Sequence, residues 1–159
     1  MNECEYFRKS IDLMSAGDAD AAEFLLLQSL EIEETELKYT CLGWLHGNLQ
    51  GRTMPAVRAF VKALRMNREY GDAYNECGAL LLRVGRDRRA IQCFTRALKA
   101  QTCSKRHFAL YNLALIYAEK NRPERSRRYL NLALKLKPDF QEAREFLDDL
   151  AADKSGRGY

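Results

Sequence analysis

Apolar residues recur along this chain at intervals of three and four positions, the spacing that places them on one face of an α-helix. Leu42, Leu45 and Leu49 form one such face, and comparable stripes continue as far as Leu134. Alternating runs of β-branched residues, which would predict strands, are nearly absent. Glycine, asparagine and proline interrupt the stripes, so the pattern predicts an all-α chain of nine helices, each of about 11 to 15 residues, with short loops.

The predicted helices come in pairs, and the second helix of each pair repeats one pattern. A small residue is followed four positions later by a bulky apolar residue, and then by another small residue and a leucine. The four copies are Ala22, Leu26, Ser29, Leu30; Ala56, Phe60, Ala63, Leu64; Ala90, Phe94, Ala97, Leu98; and Ser126, Leu130, Ala133, Leu134. Their first members lie 34, 34 and 36 residues apart. The first helices agree through Tyr39, Leu42, Gly43; Tyr74, Cys77, Gly78; and Leu110, Leu113, Ala114.

These spacings resemble those of the tetratricopeptide repeat family, whose helix pairs recur about every 34 residues, and Pro138 matches the family's closing proline. The resemblance implies a right-handed α-solenoid of about four helix-turn-helix repeats with a C-terminal capping helix, in one domain over residues 1–152. The expected segments are repeats at about 3–34, 35–69, 70–105 and 106–139, a cap helix at 140–151 and a flexible tail at 153–159. The first repeat is degenerate, and Gln101 to Ser104 lengthens the exit of the third.

The family resemblance also implies a function, which is to hold an extended or helical segment of another protein in a concave groove lined by the first helices. The family's groove positions correspond here to Thr40, Trp44, Asn48, Asn75, Glu76, Arg83, Phe108, Tyr111, Asn112 and Glu119. Trp44 is the only tryptophan, and two interpretations of it stay open. It either anchors a partner, as buried aromatic residues do at interfaces, or packs against Leu37 or Tyr74 between repeats.

Chemistry-bearing motifs are absent from the sequence, which contains no phosphate-binding glycine loop, nucleophile elbow or zinc-binding helix motif. We therefore expect no enzyme activity, no catalytic or metal-binding residues and no cofactor. Five cysteines without a CxxC pair favour reduced thiols. Together with an acidic first segment and the lack of a long apolar run, they predict a cytoplasmic protein without a membrane span.

Charge is unevenly distributed, although the formal net charge is only +4. Residues 1–36 carry −8, whereas residues 83–128 carry +10. The basic surface is predicted on the second helices and turns, at Arg86, Arg88, Arg89, Arg122, Arg125, Arg127 and Arg128. Such opposed charge favours an acidic protein partner or head-to-tail self-association. RNA or another polyanion is the alternative partner, ranked lower because no aromatic residues interleave with the arginines in the sequence.

Overall fold

A computed structural model describes the backbone of residues 2–156 and the side chains of residues 2–152. Over residues 2–156 the chain forms nine helices and no extended strand. They are α1 (Glu3–Ala16), α2 (Ala19–Ile32), α3 (Glu36–Gly47), α4 (Thr53–Met66), α5 (Gly71–Arg83), α6 (Asp87–Lys99), α7 (Arg106–Glu119), α8 (Pro123–Leu136) and α9 (Gln141–Gly156). The prediction of an all-α fold is confirmed.

The helices pack as consecutive hairpins, α1 with α2, α3 with α4, α5 with α6 and α7 with α8. Each hairpin then stacks on the next one, and α9 packs on α8 at the C-terminal end. Contacts therefore run between neighbours in sequence, which is the organisation of a solenoid. The predicted array of four hairpins and a capping helix is confirmed.

The turn within each hairpin contains one residue with a left-handed backbone. These residues are Gly17, Gly51, Gly85 and Asn121, with φ values of 84°, 73°, 69° and 54°. Glycine adopts this conformation without steric cost, and asparagine is the side chain that tolerates it best. The four glycine or asparagine positions thus let the chain reverse direction within a short turn.

The capping helix is longer than the sequence predicts, because it continues through residues 153–156, which were expected to form the start of a tail. Ala151, Ala152, Asp153 and Lys154 contain neither glycine nor proline, so local propensity does not end the helix before Ser155 and Gly156. The rest of the predicted tail, 157–159, lies outside the described residues.

Two of the hairpins are closed by a glycine on the first helix that faces a phenylalanine on the second. A β-carbon placed on Gly43 would lie 2.5 Å from the ring of Phe60, and one on Gly78 would lie 2.7 Å from the ring of Phe94. Both rings are almost completely buried. Glycine is therefore required at these positions for close approach of the helices, because no side chain fits between the helix backbone and the ring.

The same register carries a different pair of residues in the outer hairpins. The fourth hairpin has Ala114 and Leu130, and the first has Ser10 and Leu26, all fully buried. A larger residue on the first helix thus accompanies a smaller one on the second. This exchange conserves volume, which is what close-packed protein interiors require.

His46 joins the first two hairpins and makes the stability of the fold depend on pH. Its side chain is 12% exposed, and its Nε2 lies 3.1 Å from Glu23 Oε1 on α2. Burial lowers the pKa of His46 below its ordinary value of 6.5, and the nearby Glu23 carboxylate offsets this only in part. The unfolded chain therefore takes up a proton more readily than the folded one. The folded state therefore has its full stability above pH 6.5, and it loses stability as the pH falls from 6.5 towards the lower pKa that His46 has in the folded state.

We expect the urea midpoint to be lower at about pH 5.5 than at about pH 7.5, because protonation of His46 favours the unfolded chain over this interval. Substitution His46→Gln should reduce the difference between the two midpoints. Burial also lowers the pKa of His107, which should account for part of the remaining difference. An unchanged difference in the double variant His46→Gln/His107→Gln would contradict the assignment.

Candidate functional site

A concave hollow lies where the first helices of three hairpins meet the start of a fourth, and we call it the inner hollow. Its volume is about 330 Å³. It is formed by side chains of α1, α3 and α5, by the residue before α5, and by the two residues before α7. The lining residues are Ile11, Met14, Ser15, Leu37, Thr40, Cys41, Trp44, Tyr70, Asp72, Glu76, Ser104 and Lys105.

One side of the inner hollow is apolar and open to solvent. Ile11 and Met14 come from α1, and Leu37 and Trp44 come from α3. Leu37 is 45% exposed and Trp44 is 40% exposed, which is high for large apolar side chains inside a concavity. Trp44 is therefore not enclosed between repeats, and its indole face forms part of the wall. Covering apolar surface of this kind with another apolar group is favourable in free energy.

The opposite side is polar, and the lengthened loop after the third hairpin builds it. The Gly71 amide donates to Thr102 O at 2.6 Å, and the Thr102 amide donates to Glu69 O at 3.3 Å, so the loop is fixed against the start of α5. A β-carbon on Gly71 would lie 2.9 Å from Thr102 O, so only glycine permits this approach. The irregular spacing between hairpins three and four thus has a structural role, since it brings Ser104 and Lys105 to the hollow.

Asp72 fixes the start of α7 within this polar wall. Its carboxylate accepts hydrogen bonds from the Ser104 amide at 3.0 Å, the Ser104 hydroxyl at 2.8 Å and the Lys105 amide at 3.1 Å. Amides at a helix start have no partner within the helix, and a carboxylate there also interacts favourably with the helix dipole. Lys105 Nζ then pairs with Glu76 Oε1 at 2.9 Å. The polar wall therefore has a fixed geometry before any ligand arrives.

Cys41 lies at the base of the inner hollow but offers no nucleophile. Burial raises the pKa of its thiol to about 11, so the thiol stays protonated near neutral pH. Within the hollow it acts as a small apolar side chain. We expect it to react slowly with maleimide, so the rate of that reaction can report whether the hollow is open.

Of the groove residues predicted from the sequence, the structure brings Thr40, Trp44 and Glu76 together in the inner hollow. Thr40 is only 6% exposed, and its hydroxyl donates to Glu36 O at 2.7 Å within α3. It therefore contributes to the floor rather than offering a free hydrogen-bonding group.

Asn48 and Arg83 lie together at the far end of the first-helix face. Arg83 Nη1 donates to Asn48 Oδ1 at 2.7 Å, and its Nη2 donates to Gly47 O at 3.0 Å. Asn75, also predicted in the groove, is only 3% exposed. Its Oδ1 is buried and accepts no hydrogen bond from the described residues.

The residues predicted on α7 are divided between the capping helix and solvent. Phe108 lies edge-on to Phe140 at a centroid distance of 5.2 Å, and Tyr111 lies 5.3 Å from the same ring and 6.2 Å from Phe146. The aromatic residues of the fourth hairpin thus pack on the cap and close this end of the groove. Asn112 is half-buried and Glu119 is exposed.

The predicted basic surface lies on the second-helix layer with one exception. The exposed members are Arg86, Arg88, Arg89, Arg122, Arg125 and Arg128. Arg127 is instead half-buried and donates to Leu150 O, so it attaches the capping helix to α8.

The structure also corrects the expectation that no aromatic residues lie among the arginines. Tyr117 and Tyr129 stack at a centroid distance of 5.4 Å with their planes 9° apart, and the Arg125 guanidinium lies 5.5 Å from the Tyr117 centroid. The sequence does not reveal this cluster, because Tyr117 is on α7 whereas Tyr129 and Arg125 are on α8.

Sequence reasoning missed most of the polar wall and part of the apolar wall. Asp72, Ser104 and Lys105 reach the hollow through a loop whose path depends on tertiary hydrogen bonds, and no local motif marks them. Ile11 and Met14 do lie on an apolar stripe of α1, but a stripe alone does not distinguish core from groove.

A metal site and a membrane-spanning helix are both absent from the described residues. Side chains of residues 2–152 form no group of three or more histidine, cysteine, aspartate or glutamate residues with a geometry suited to a metal ion. None of the helices over residues 2–156 combines the length and apolar character needed to cross a membrane.

Comparison with known proteins identifies the fold. Residues 107–140 match the family model of the tetratricopeptide repeat. Among solved structures, PilF of Pseudomonas aeruginosa superposes with a TM-score of 0.87 at 19% identity, over 97% of this chain and 69% of that one. PilW, a widely conserved type IV pilus biogenesis factor, gives 0.82 at 20% identity, over 93% and 68%. YrrB, a TPR protein with an unusual peptide-binding site, gives 0.67 at 20% identity, over 88% and 71%. No curated protein matches the sequence.

Proposed function

We propose that this chain, which has the fold of the tetratricopeptide repeat proteins, is a non-enzymatic adaptor that binds a segment of another protein in its inner hollow. The observation that carries the proposal is the solvent-exposed apolar wall of Leu37 and Trp44 inside a concavity whose polar wall is already ordered. Pre-ordered polar groups lower the entropic cost of binding, and burial of the apolar wall supplies favourable binding free energy.

The geometry of the hollow defines the kind of segment that fits. Its volume of about 330 Å³ accommodates one or two large apolar side chains, not a folded domain. Glu76 and Asp72 stand opposite the apolar wall, and Lys105 neutralises only one of them. A peptide or helix that presents an apolar anchor with a basic or amide group beside it is therefore the complementary ligand.

The structural neighbours support a role in assembling larger structures, because PilW is a pilus biogenesis factor and YrrB has a peptide-binding site. A secretion or assembly chaperone is the specialised form of the proposal. The expected compartment stays cytoplasmic, on the argument from the five unpaired cysteines.

The proposal is tested with Trp44, which is the only tryptophan and so gives a fluorescence signal from the hollow itself. Peptides selected on the intact protein from a display library should shift Trp44 emission to shorter wavelength and protect Cys41 from maleimide. We expect Trp44→Ala to weaken their binding by about tenfold or more, since buried aromatic anchors dominate interface energies.

Val61→Ala is the matched control, because Val61 on α4 is 41% exposed, as Trp44 is, but lies outside the hollow. It should leave the affinity unchanged. Selected peptides that bind the Trp44→Ala variant with full affinity, or that leave both Trp44 emission and Cys41 reactivity unaltered, would refute the assignment of the site.

The alternative function, binding of RNA or another polyanion, is favoured by the tyrosine pair beside Arg125. Salt separates the two functions, because phosphate contacts weaken steeply with ionic strength whereas apolar burial does not. Binding that is lost in moderate salt and on changing Arg88, Arg89 and Arg128 to Glu would support the alternative.

A further inference from the structure

The outer face of α2, at the N-terminal end of the solenoid, exposes apolar residues between acids. Phe24 is 62% exposed and Leu27 is 42% exposed. Asp20 and Glu31 are exposed on the same face, at positions four before Phe24 and four after Leu27. The helical repeat aligns all four residues in one stripe, with the two carboxylates about 16 Å apart along the axis. We call this stripe the acidic ridge.

The outer face of α8, at the other end of the solenoid, has the opposite charge. Leu132 is 45% exposed and Leu136 is 57% exposed. Arg125, Arg128 and Lys135 are exposed on the same face of the helix. Arg125 and Lys135 are about 15 Å apart along the helix axis, which is close to the separation of the two acids on the ridge.

A depression runs beside this basic face, and we call it the outer hollow. Its volume is about 650 Å³, and it is lined by Tyr117, Arg125, Arg128, Tyr129, Asn131, Leu132 and Lys135. No carboxylate is among the described residues that line it. Its two tyrosines are half-buried whereas its three cations are exposed, which places the cations at the rim. Its size admits a phenylalanine ring.

We propose that the acidic ridge of one copy of this chain docks in the outer hollow of a second copy. Phe24 inserts between Tyr129 and Leu132, while Asp20 and Glu31 pair with the cations at the rim. Charge complementarity and matched spacing select this occupant: the ridge is acid–apolar–acid, and the hollow is base–apolar–base. The contact uses the outer second-helix layer, so it leaves the inner hollow free and is independent of the function proposed above.

The contact joins two different surfaces, so it is heterologous and leaves one ridge and one hollow unoccupied at the ends of each assembly. Assembly therefore continues with concentration unless the rotation between copies closes a ring. Because the cations lie at an exposed rim, salt should screen the charged part of the contact.

The test uses two variants that each disable one surface. Phe24→Glu disrupts the acidic ridge and leaves the outer hollow intact. Arg128→Glu/Lys135→Glu reverses two charges of the outer hollow and leaves the ridge intact. In size-exclusion chromatography with light scattering at low salt, the intact protein should show a mass that rises with concentration. Each variant alone should run as a monomer. An equimolar mixture should form a one-to-one dimer and nothing larger, because only one functional contact remains.

Met54→Glu is the matched control, since Met54 is 63% exposed on the outer layer but belongs to neither surface. It should assemble like the intact protein, and circular dichroism should show the same helix content in all variants. A monomeric intact protein at every concentration, or variants that stay monomeric when mixed, would overturn the proposal. Binding of a fluorescent single-stranded oligonucleotide by that monomer, lost in Arg128→Glu/Lys135→Glu, would assign the outer hollow to nucleic acid instead.

Discussion

Replacing Lys38 by methionine should lower the free energy of unfolding by about 3 kcal/mol, because the change breaks a buried, fully satisfied charge. Lys38 is 3% exposed. Its ammonium group donates to Ser29 O at 3.2 Å and Glu33 O at 2.7 Å and forms an ion pair with Glu3. All three donors of the ammonium are thereby used, and two of them go to Ser29 O, which also accepts from the Glu33 amide, and to the carbonyl of Glu33, the residue after α2.

Urea unfolding monitored by circular dichroism measures this effect, and Lys120→Met is the matched control. Lys120 also pairs with a carboxylate, Asp87 Oδ2, at 2.5 Å, but the two side chains are 41% and 29% exposed. Solvent and side-chain entropy reduce such surface pairs to little net value, so the control should unfold at the midpoint of the intact protein. Equal losses in the two variants would show that burial of Lys38 does not matter.

Converting Gly78 to alanine should destabilise the fold by about 1–2 kcal/mol, although alanine is the better helix former by up to about 1 kcal/mol. The added β-carbon would meet the Phe94 ring at 2.7 to 3.0 Å, and that ring is fully buried and has no room to move. Phe94→Leu alone should also cost stability, because it leaves a cavity in place of part of the ring.

The double variant Gly78→Ala/Phe94→Leu recreates in the third hairpin the Ala114 and Leu130 pair of the fourth. We expect it to be more stable than the sum of the two single changes predicts, with a coupling of about 1 kcal/mol or more in a double-mutant cycle. Thermal melts of the four proteins give the cycle. Strict additivity would show that glycine and phenylalanine at these positions are not matched to each other.

The sequence alone is enough to predict the fold, because its determinants are local and repeated. Ala22, Ala56, Ala90 and Ser126 are equivalent in the pattern, and each is fully buried on the second helix of its hairpin. Helix periodicity reports which residues face the core, and the period reports how hairpins stack. Both signals can be read from the sequence without knowledge of any long-range contact.

The candidate site was less predictable, because its features depend on partners distant in sequence. Lys38, which does not line the hollow, shows the same difficulty, because its charge suggests an exposed residue whereas Glu3 and the end of α2 make its burial possible. The hydrogen bond from Gly71 to Thr102 positions the loop that builds the polar wall. No periodic pattern in the sequence predicts this contact. The sequence pattern likewise does not show that Asn75, one of the positions carried over from the family, is only 3% exposed.

The position of α1 in the array has a consequence for access to the inner hollow. Ile11 and Met14 form part of the apolar wall, and among the described residues α1 packs chiefly on α2. In a structure whose contacts are all between neighbours, a helix with few contacts beyond its own hairpin moves at a lower cost than a helix packed between two hairpins. The side of the hollow formed by α1 is therefore its more movable side, and the ion pair between Lys38 and Glu3 holds α1 to the start of α3. A ligand that contacts both α1 and α3 would therefore stabilise the packing of α1 as it binds.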